Sequence, residues 1–170
     1  MGGKGEYERG SYRELIDFSL DRASVEVYWI SPEGKFVYVN ETTKKNLGYS
    51  EDELENMHVW DVDPNHGKEI KETMTFESEH KTKNGETYPV LITNHYIEFE
   101  GREYEFAFAT DISKRKKMEE ELERSEAELS AVFENIPIIV MLVDRERRVR
   151  EINDTGLEFA GKTKEEAFGQ

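Results

Sequence analysis

ATDISKRKKMEEELERSEAELSAVF, residues 109–133, divides the chain into a complete unit before it and a partial copy of that unit after it. Phe106 to Ile112 reads as a strand. A basic cluster, Lys114 to Lys117, and an acidic one, Glu119 to Glu123, follow it. Apolar residues return at Met118, Leu122, Leu129, Val132 and Ile136, spaced alternately by 4 and 3, with polar Ser125 in the gap. That is the spacing of a heptad seam. Glu120 and Arg124 stand one turn apart, acid first, the favoured order for a helical ion pair. Arg115 and Glu119 share that spacing in the weaker order, and the Ala, Leu, Glu, Lys and Arg content favours a helix. Two readings stay open: a solvated linker helix within one subunit, or a parallel coiled coil of two chains.

Upstream, Ser11 to Ala23 predicts a short amphipathic helix carrying Leu15 and Phe18, with Ser11 as its N-cap. MGGKGEYERG before it is Gly-rich and charged, so residues 1–10 are expected to be a flexible N-terminus without a secretory signal. VEVYWI (25–30) and KFVYV (35–39) are strands around the turn Ser31-Pro32-Glu33-Gly34. Asn40 caps a helix that Gly48 ends. Ser50, with Glu53 three residues on, is a capping box for the next helix. Trp60 and Val62 are expected core anchors, and Lys68 to Met74 is helix-like. From Phe76 the period changes to that of strands: FESEHKTK, Asn84-Gly85, ETYPVLITNHYIEF, Glu100-Gly101 and REYEFAFATDIS make three strands and two tight turns. This order of elements is that of an α+β unit with helices on one face of an antiparallel sheet.

Downstream, LVDRERRVREINDTGLEFAGKTKEEAFGQ (142–170) lies on WISPEGKFVYVNETTKKNLGYSEDELENM (29–57) without a gap. Asn153 falls on Asn40, Thr155 on Thr42, Gly161 on Gly48, Thr163 on Ser50 and Glu166 on Glu53. Each shared residue has a mechanical task as cap, turn or capping box. Arg147 falls on Gly34, which predicts a different turn in the second hairpin. The copy stops before the last three strands, so the chain is expected to be a piece of a larger protein. Its run Ile136 to Val143 is strongly apolar and expected to be covered by a second chain or by the first unit.

The formal net charge is −15, which disfavours nucleic acid and anionic membrane surfaces as partners. Without cysteine there is no disulfide, no thiolate metal site and no thiol nucleophile. No apolar run is long enough to span a bilayer, and a cytoplasmic location fits. His58, His66, His80 and His95 lack a phosphoacceptor setting, and no Gly-rich phosphate loop follows a strand. The chain is therefore expected to have no catalysis of its own. Asp61, Asp63, Asn65 and Glu72 have Ca²⁺-loop spacing. However, His66 stands where that loop needs Gly and Pro64 stiffens it, so no metal site is assigned.

VYVNET, LGYSEDEL, VWDVDP, EHKTKNGETYPV and the closing ATDISKRK together resemble the PAS family of sensory domains over nearly the whole chain. The resemblance implies a PAS fold with a five-stranded antiparallel sheet. It divides the chain into residues 1–10, a PAS domain at 11–113, a signalling helix at 114–135 and the first part of a second PAS domain at 136–170. It implies an input module that senses a ligand or redox cue and relays it through a coiled-coil helix to an output domain. The tandem order resembles the input half of a sensor histidine kinase, part of a two-component system. The alternative is a ligand-free dimerisation and relay module, its cavity filled by Tyr88, Tyr96, Trp29 and Trp60. The implied cavity wall is His80, Val90, Ile92, Asn94, Ala107, Ala109 and Trp60. The ordinary partners of His80 and Asn94 are each other or a water; a ligand is the alternative. Phe106 and Phe108 point out of the sheet, either under the Leu15/Phe18 helix or into a dimer contact. Asp111 and Ser113 are the expected relay junction, and Met118, Leu122, Leu129 and Val132 the homodimer seam. The cofactor is open. A flavin photoadduct needs a cysteine and is excluded, and haem is disfavoured because a lone His66 near a helix start is ordinarily a surface residue.

Overall fold

In the computed structural model, residues 9–66 and 73–168 are described, and the chain divides into two compact units between Lys114 and Arg115. The first unit contains α1 (Arg9–Asp21), β1 (Glu26–Ile30), β2 (Phe36–Val39), α2 (Glu41–Leu47), α3 (Glu51–Glu55), α4 (Val59–Val62), β3 (Met74–Lys81), β4 (Thr87–Phe99) and β5 (Arg102–Asp111). The strands form one antiparallel sheet in the order β2-β1-β5-β4-β3. Its inner face packs on Leu47 of α2, Leu54 of α3 and Val59 and Val62 of α4. This is the expected α+β architecture, five antiparallel strands with helices on one face.

The local signals act as read. Asn40 accepts from the Thr43 N–H, and Gly48 ends α2 in the left-handed region at φ 78°. Ser50 and Glu53 exchange both bonds of the capping box. The turn after β1 closes with the Gly34 N–H on the Ser31 carbonyl at 2.8 Å. Gly34 sits at φ 83°, and a Cβ there would run into the Trp60 ring. Glycine is needed twice over, for its backbone and for that close approach.

Several expectations are corrected. Helix α1 starts at Arg9, so Ser11 lies inside it and Arg9 and Gly10 are helical. Of the helix-like reading 68–74, Met74 belongs to β3, Thr73 lies outside any helix, and residues 68–72 fall outside the described set. Leu15 and Phe18 are exposed, and Phe18 instead carries the Arg22 guanidinium over its ring. Phe106 packs edge-on against Trp29 and Phe108 on the outer face, without burying those two helix residues.

The second unit consists of most of α5 (Ser113–Asn135), β6 (Met141–Val143), β7 (Val149–Ile152), α6 (Asp154–Ala160) and α7 (Lys164–Ala167). Asn153 caps α6 as Asn40 caps α2, and Thr163 with Glu166 repeats the capping box. The β6–β7 turn is a correction: it does not differ. The Arg147 N–H reaches the Asp144 carbonyl at 3.0 Å, and Arg147 takes φ 66°, the conformation glycine holds in the first unit. Asp144 steadies it by accepting from the Arg148 N–H at 2.9 Å. Ile138, Ile139, Met141, Leu142 and Val143 are largely exposed, so the second unit does not bury them by itself.

Candidate functional site

Period-two alternation on β1, β4 and β5 brings one row of side chains to the inner face. Glu26, Tyr28 and Ile30 on β1 stand opposite Ala109, Ala107 and Glu105 on β5. Ile92, Asn94 and Tyr96 on β4 stand opposite the same three β5 residues. On β3, Ser78 and His80 pair with Val90 and Tyr88. His80, Val90, Ile92, Asn94, Ala107 and Ala109 thus share one buried wall, with Trp60 half-buried against it and stacked on His58 at 4.5 Å. Trp29 lies on the other face, against Tyr38 and Phe106, and cannot fill this interior.

His80 and Asn94 are not partners of each other. His80 Nδ1 lies 2.8 Å from Glu26 Oε2, and both side chains are fully buried. An Nδ1–H donating to the carboxylate leaves Nε2 to accept from the Tyr28 hydroxyl, 3.4 Å away. Glu26 Oε1 also accepts from the Tyr88 hydroxyl at 2.7 Å and the Asn46 amide at 3.0 Å. The Asn94 amide donates to Glu105 Oε1 at 3.1 Å, and its oxygen accepts from the Met74 N–H. Tyr96 donates to Glu105 Oε2, and His66 Nε2 lies 3.5 Å from the same oxygen. His66, read from sequence as a surface residue, therefore turns its ring inward. A third carboxylate, Asp63, accepts on Oδ1 from the Ser78 hydroxyl at 2.7 Å and the Asn65 N–H at 3.1 Å.

These charges act on the tyrosines. Burial, then Glu26, Asp63 and Glu105, holds the Tyr28 hydroxyl well above its ordinary value. Burial and Glu26 push Tyr88 up strongly, and burial with Glu105 pushes Tyr96 up to about 12. All three remain neutral donors over the physiological range. Sequence reasoning missed Glu26 and Glu105, and weighed Asp63 only as a Ca²⁺-loop position. A signal for the first two was present: Glu26 is in phase with Tyr28 and Ile30, and Glu105 with Ala107 and Ala109. The Ca²⁺-loop reading places nothing here, since Asp61 accepts from the His58 N–H at 2.8 Å and Glu72 is outside the described residues. Among the described residues, no group of three or more His, Asp or Glu is placed to hold a metal.

The wall leads out along β5. The Ile112 N–H bonds the Pro89 carbonyl at 3.0 Å, and Ile112 is buried. Asp111 Oδ1 accepts from the Ser113 N–H at 2.8 Å where α5 begins. Along α5, Met118, Leu122, Leu129 and Val132 are 59, 59, 68 and 60% exposed, and among the described residues no α5 side chain is buried. Arg124 turns to Glu128, at 2.8 Å, instead of bonding Glu120 as its favoured spacing suggests.

A PAS domain family model matches residues 25–114, and a second PAS domain model matches residues 127–170. The chain belongs to the PAS family of sensory domains. The methyl sulfide methyltransferase-associated sensor of Methanosarcina acetivorans is 27% identical over 111 residues, 59% of this chain. The chain spans only 11% of that relative's length. The PAS domain of a two-component sensor histidine kinase superposes with a TM-score of 0.58 at 20% identity, over 61% of this chain and 99% of that one. The PAS domain of an HTR-like protein from Haloarcula marismortui gives 0.55 at 19%, over 61% and 93%. Both show the shared fold. No helix among the described residues is long and apolar enough to cross a membrane.

Proposed function

We propose that the first unit is a cytoplasmic ligand-sensing input module that performs no catalysis and signals through α5 to a histidine kinase output domain. The observation that carries this reading is the buried ionisable cluster on the sheet's inner face. A domain that only needed a stable core would be better served there by apolar side chains, because buried charges cost desolvation free energy. His80, Asn94, Ala107 and Ala109 with Val90, Ile92 and Trp60 form the proposed receiving wall. A ligand against β4 or β5 would shift the strand that ends at Asp111. Asp111 and Ser113 would pass that shift to a homodimeric coiled coil with its seam at Met118, Leu122, Leu129 and Val132. Native mass spectrometry of the chain isolated from cells tests the reading. A retained small molecule, lost in an Asn94→Leu variant that still folds, is expected.

One observation favours a second reading, a ligand-free relay. Glu26, His80, Tyr88 and Asn46 satisfy one another without any guest. If the isolated chain carries no small molecule, and Asn94→Leu leaves kinase output of the longer protein unchanged, the relay reading replaces the sensing one.

A further inference from the structure

The three interior carboxylates are unequally satisfied. Glu26 has His80, Tyr88 and Asn46, and Glu105 has Asn94 and Tyr96 with His66 nearby. Asp63 is fully buried, yet its Oδ2 has no hydrogen-bond partner among the described residues. Buried carboxylate oxygens ordinarily have a donor, because leaving one dry loses the hydration it had in the unfolded chain. The other buried atoms of this kind, Trp29 Nε1 and Thr82 Oγ1, lie on the outer face and at the β3–β4 turn. Asp63 differs in facing the sheet interior, where its other oxygen holds Ser78 of β3.

The surroundings define what could complete it. Among the described residues, the imidazole partners of the three carboxylates are His80, on Glu26, and His66, beside Glu105, and neither is paired with Asp63. Three carboxylates repel an anion. No metal-type cluster is assembled among the described residues. A positively charged N–H donor matches both the open acceptor and the excess of negative charge. The aromatic rings of Tyr28 and Phe36, 5.6 Å apart, and of Tyr88 beside His80 are surfaces that attract an ammonium group.

We propose that the interior of the first unit binds a small organic ammonium ion, anchored on Asp63 Oδ2 with Glu105 and the Tyr28 ring beside it. The proposal rests on the ligand-sensing reading and adds the chemical class of the ligand. The test titrates the whole ¹³C-labelled chain with ethylammonium chloride at neutral pH, with sodium chloride at equal ionic strength as control. The Asp63 carboxyl resonance should move saturably, and Tm should rise with the same midpoint. Asp63→Asn keeps an acceptor for Ser78 and should raise the midpoint by about tenfold or more. Glu105→Gln serves as the second variant, with the same expectation, if Asp63→Asn fails to fold. An Asp63 resonance that ignores ethylammonium, or responds equally to sodium, overturns the proposal, as does unchanged affinity in the folded variants. Native mass spectrometry separates the two readings. A neutral or anionic molecule retained by the chain overturns the ammonium proposal and leaves ligand sensing standing. An empty chain that also ignores ethylammonium overturns both.

Discussion

Asn40 and Asn153 show how one side chain can fix a strand-to-helix corner. Asn40 Oδ1 accepts from the Val27 and Thr43 N–H groups and the Thr43 hydroxyl, and Nδ2 donates to the Leu20 and Val25 carbonyls. Asn153 repeats this with Val140, Gly156, Ile136 and Ile138. Asn40→Ala strands several buried backbone groups at once and should destabilise the first unit by about 3 kcal/mol in urea denaturation. The glycine sites are less alike. Gly34 is pressed by Trp60, while Arg147 carries a full side chain in the same left-handed turn. A non-glycine residue there bears a steric penalty of about 1–2 kcal/mol, partly offset by glycine's greater chain entropy. Arg147→Gly should therefore stabilise the second unit by about 0.5–1 kcal/mol by the same measurement. These corners were legible in sequence because caps, turns and capping boxes involve neighbours a few residues apart.

At the level of elements, α5 has a definite register. With Leu122 and Leu129 at a and Met118, Ser125 and Val132 at d, the flanking g and e positions follow. In a parallel pair Lys114 would face Glu119 of a second copy, an attractive contact, whereas Glu121 would face Glu126, a repulsive one. Leu122→Asp should give a monomer in sedimentation velocity, since it buries an unpaired charge. Glu121→Lys should tighten the pair, with less effect at high salt, where the repulsion it relieves is already screened. Unchanged mass for Leu122→Asp would remove the seam from the dimer. The strands themselves were legible from alternation, but which strands meet was not. Glu26 and His80 lie 54 positions apart, and nothing local to VEVYWI or FESEHK announces that they pair. The wall could be outlined from Ala107, Ala109, Ile92 and Asn94, with Glu26 and Glu105 in phase with it, while the partners those carboxylates take required the register of the whole sheet.

For the whole molecule, acid is expected to be a shared vulnerability. Glu53 is held below its ordinary 4.5 by its bond to Lys83 and then by the Ser50 N–H. Asp144 is held below 3.8 by the Arg148 N–H first, and Glu166 below 4.5 by Thr163. A lowered folded-state value means that the stabilisation is present above the unfolded-state value and lost as pH falls through the folded one. Both units should thus lose Tm as pH drops below about 4.5, and Glu53→Gln should make the fall shallower for the first unit. A Tm profile in Glu53→Gln that parallels the parent's would assign the acid sensitivity elsewhere.

Strand β5 is the last strand of its sheet in the chain and the middle one in space. Strand β1, with Glu26 and Tyr28, and strand β4, with Asn94 and Tyr96, both pair with β5 through backbone bonds. In the proposed relay, the helix that follows would be driven from the centreline of the sheet and not from a rim. Under the proposed sensing role such an outlet would behave as an adder: opposing tugs from the two flanks would cancel and concordant ones would sum. A guest that grips one flank alone would tilt the outgoing helix, while one that bridges both would push it along its axis.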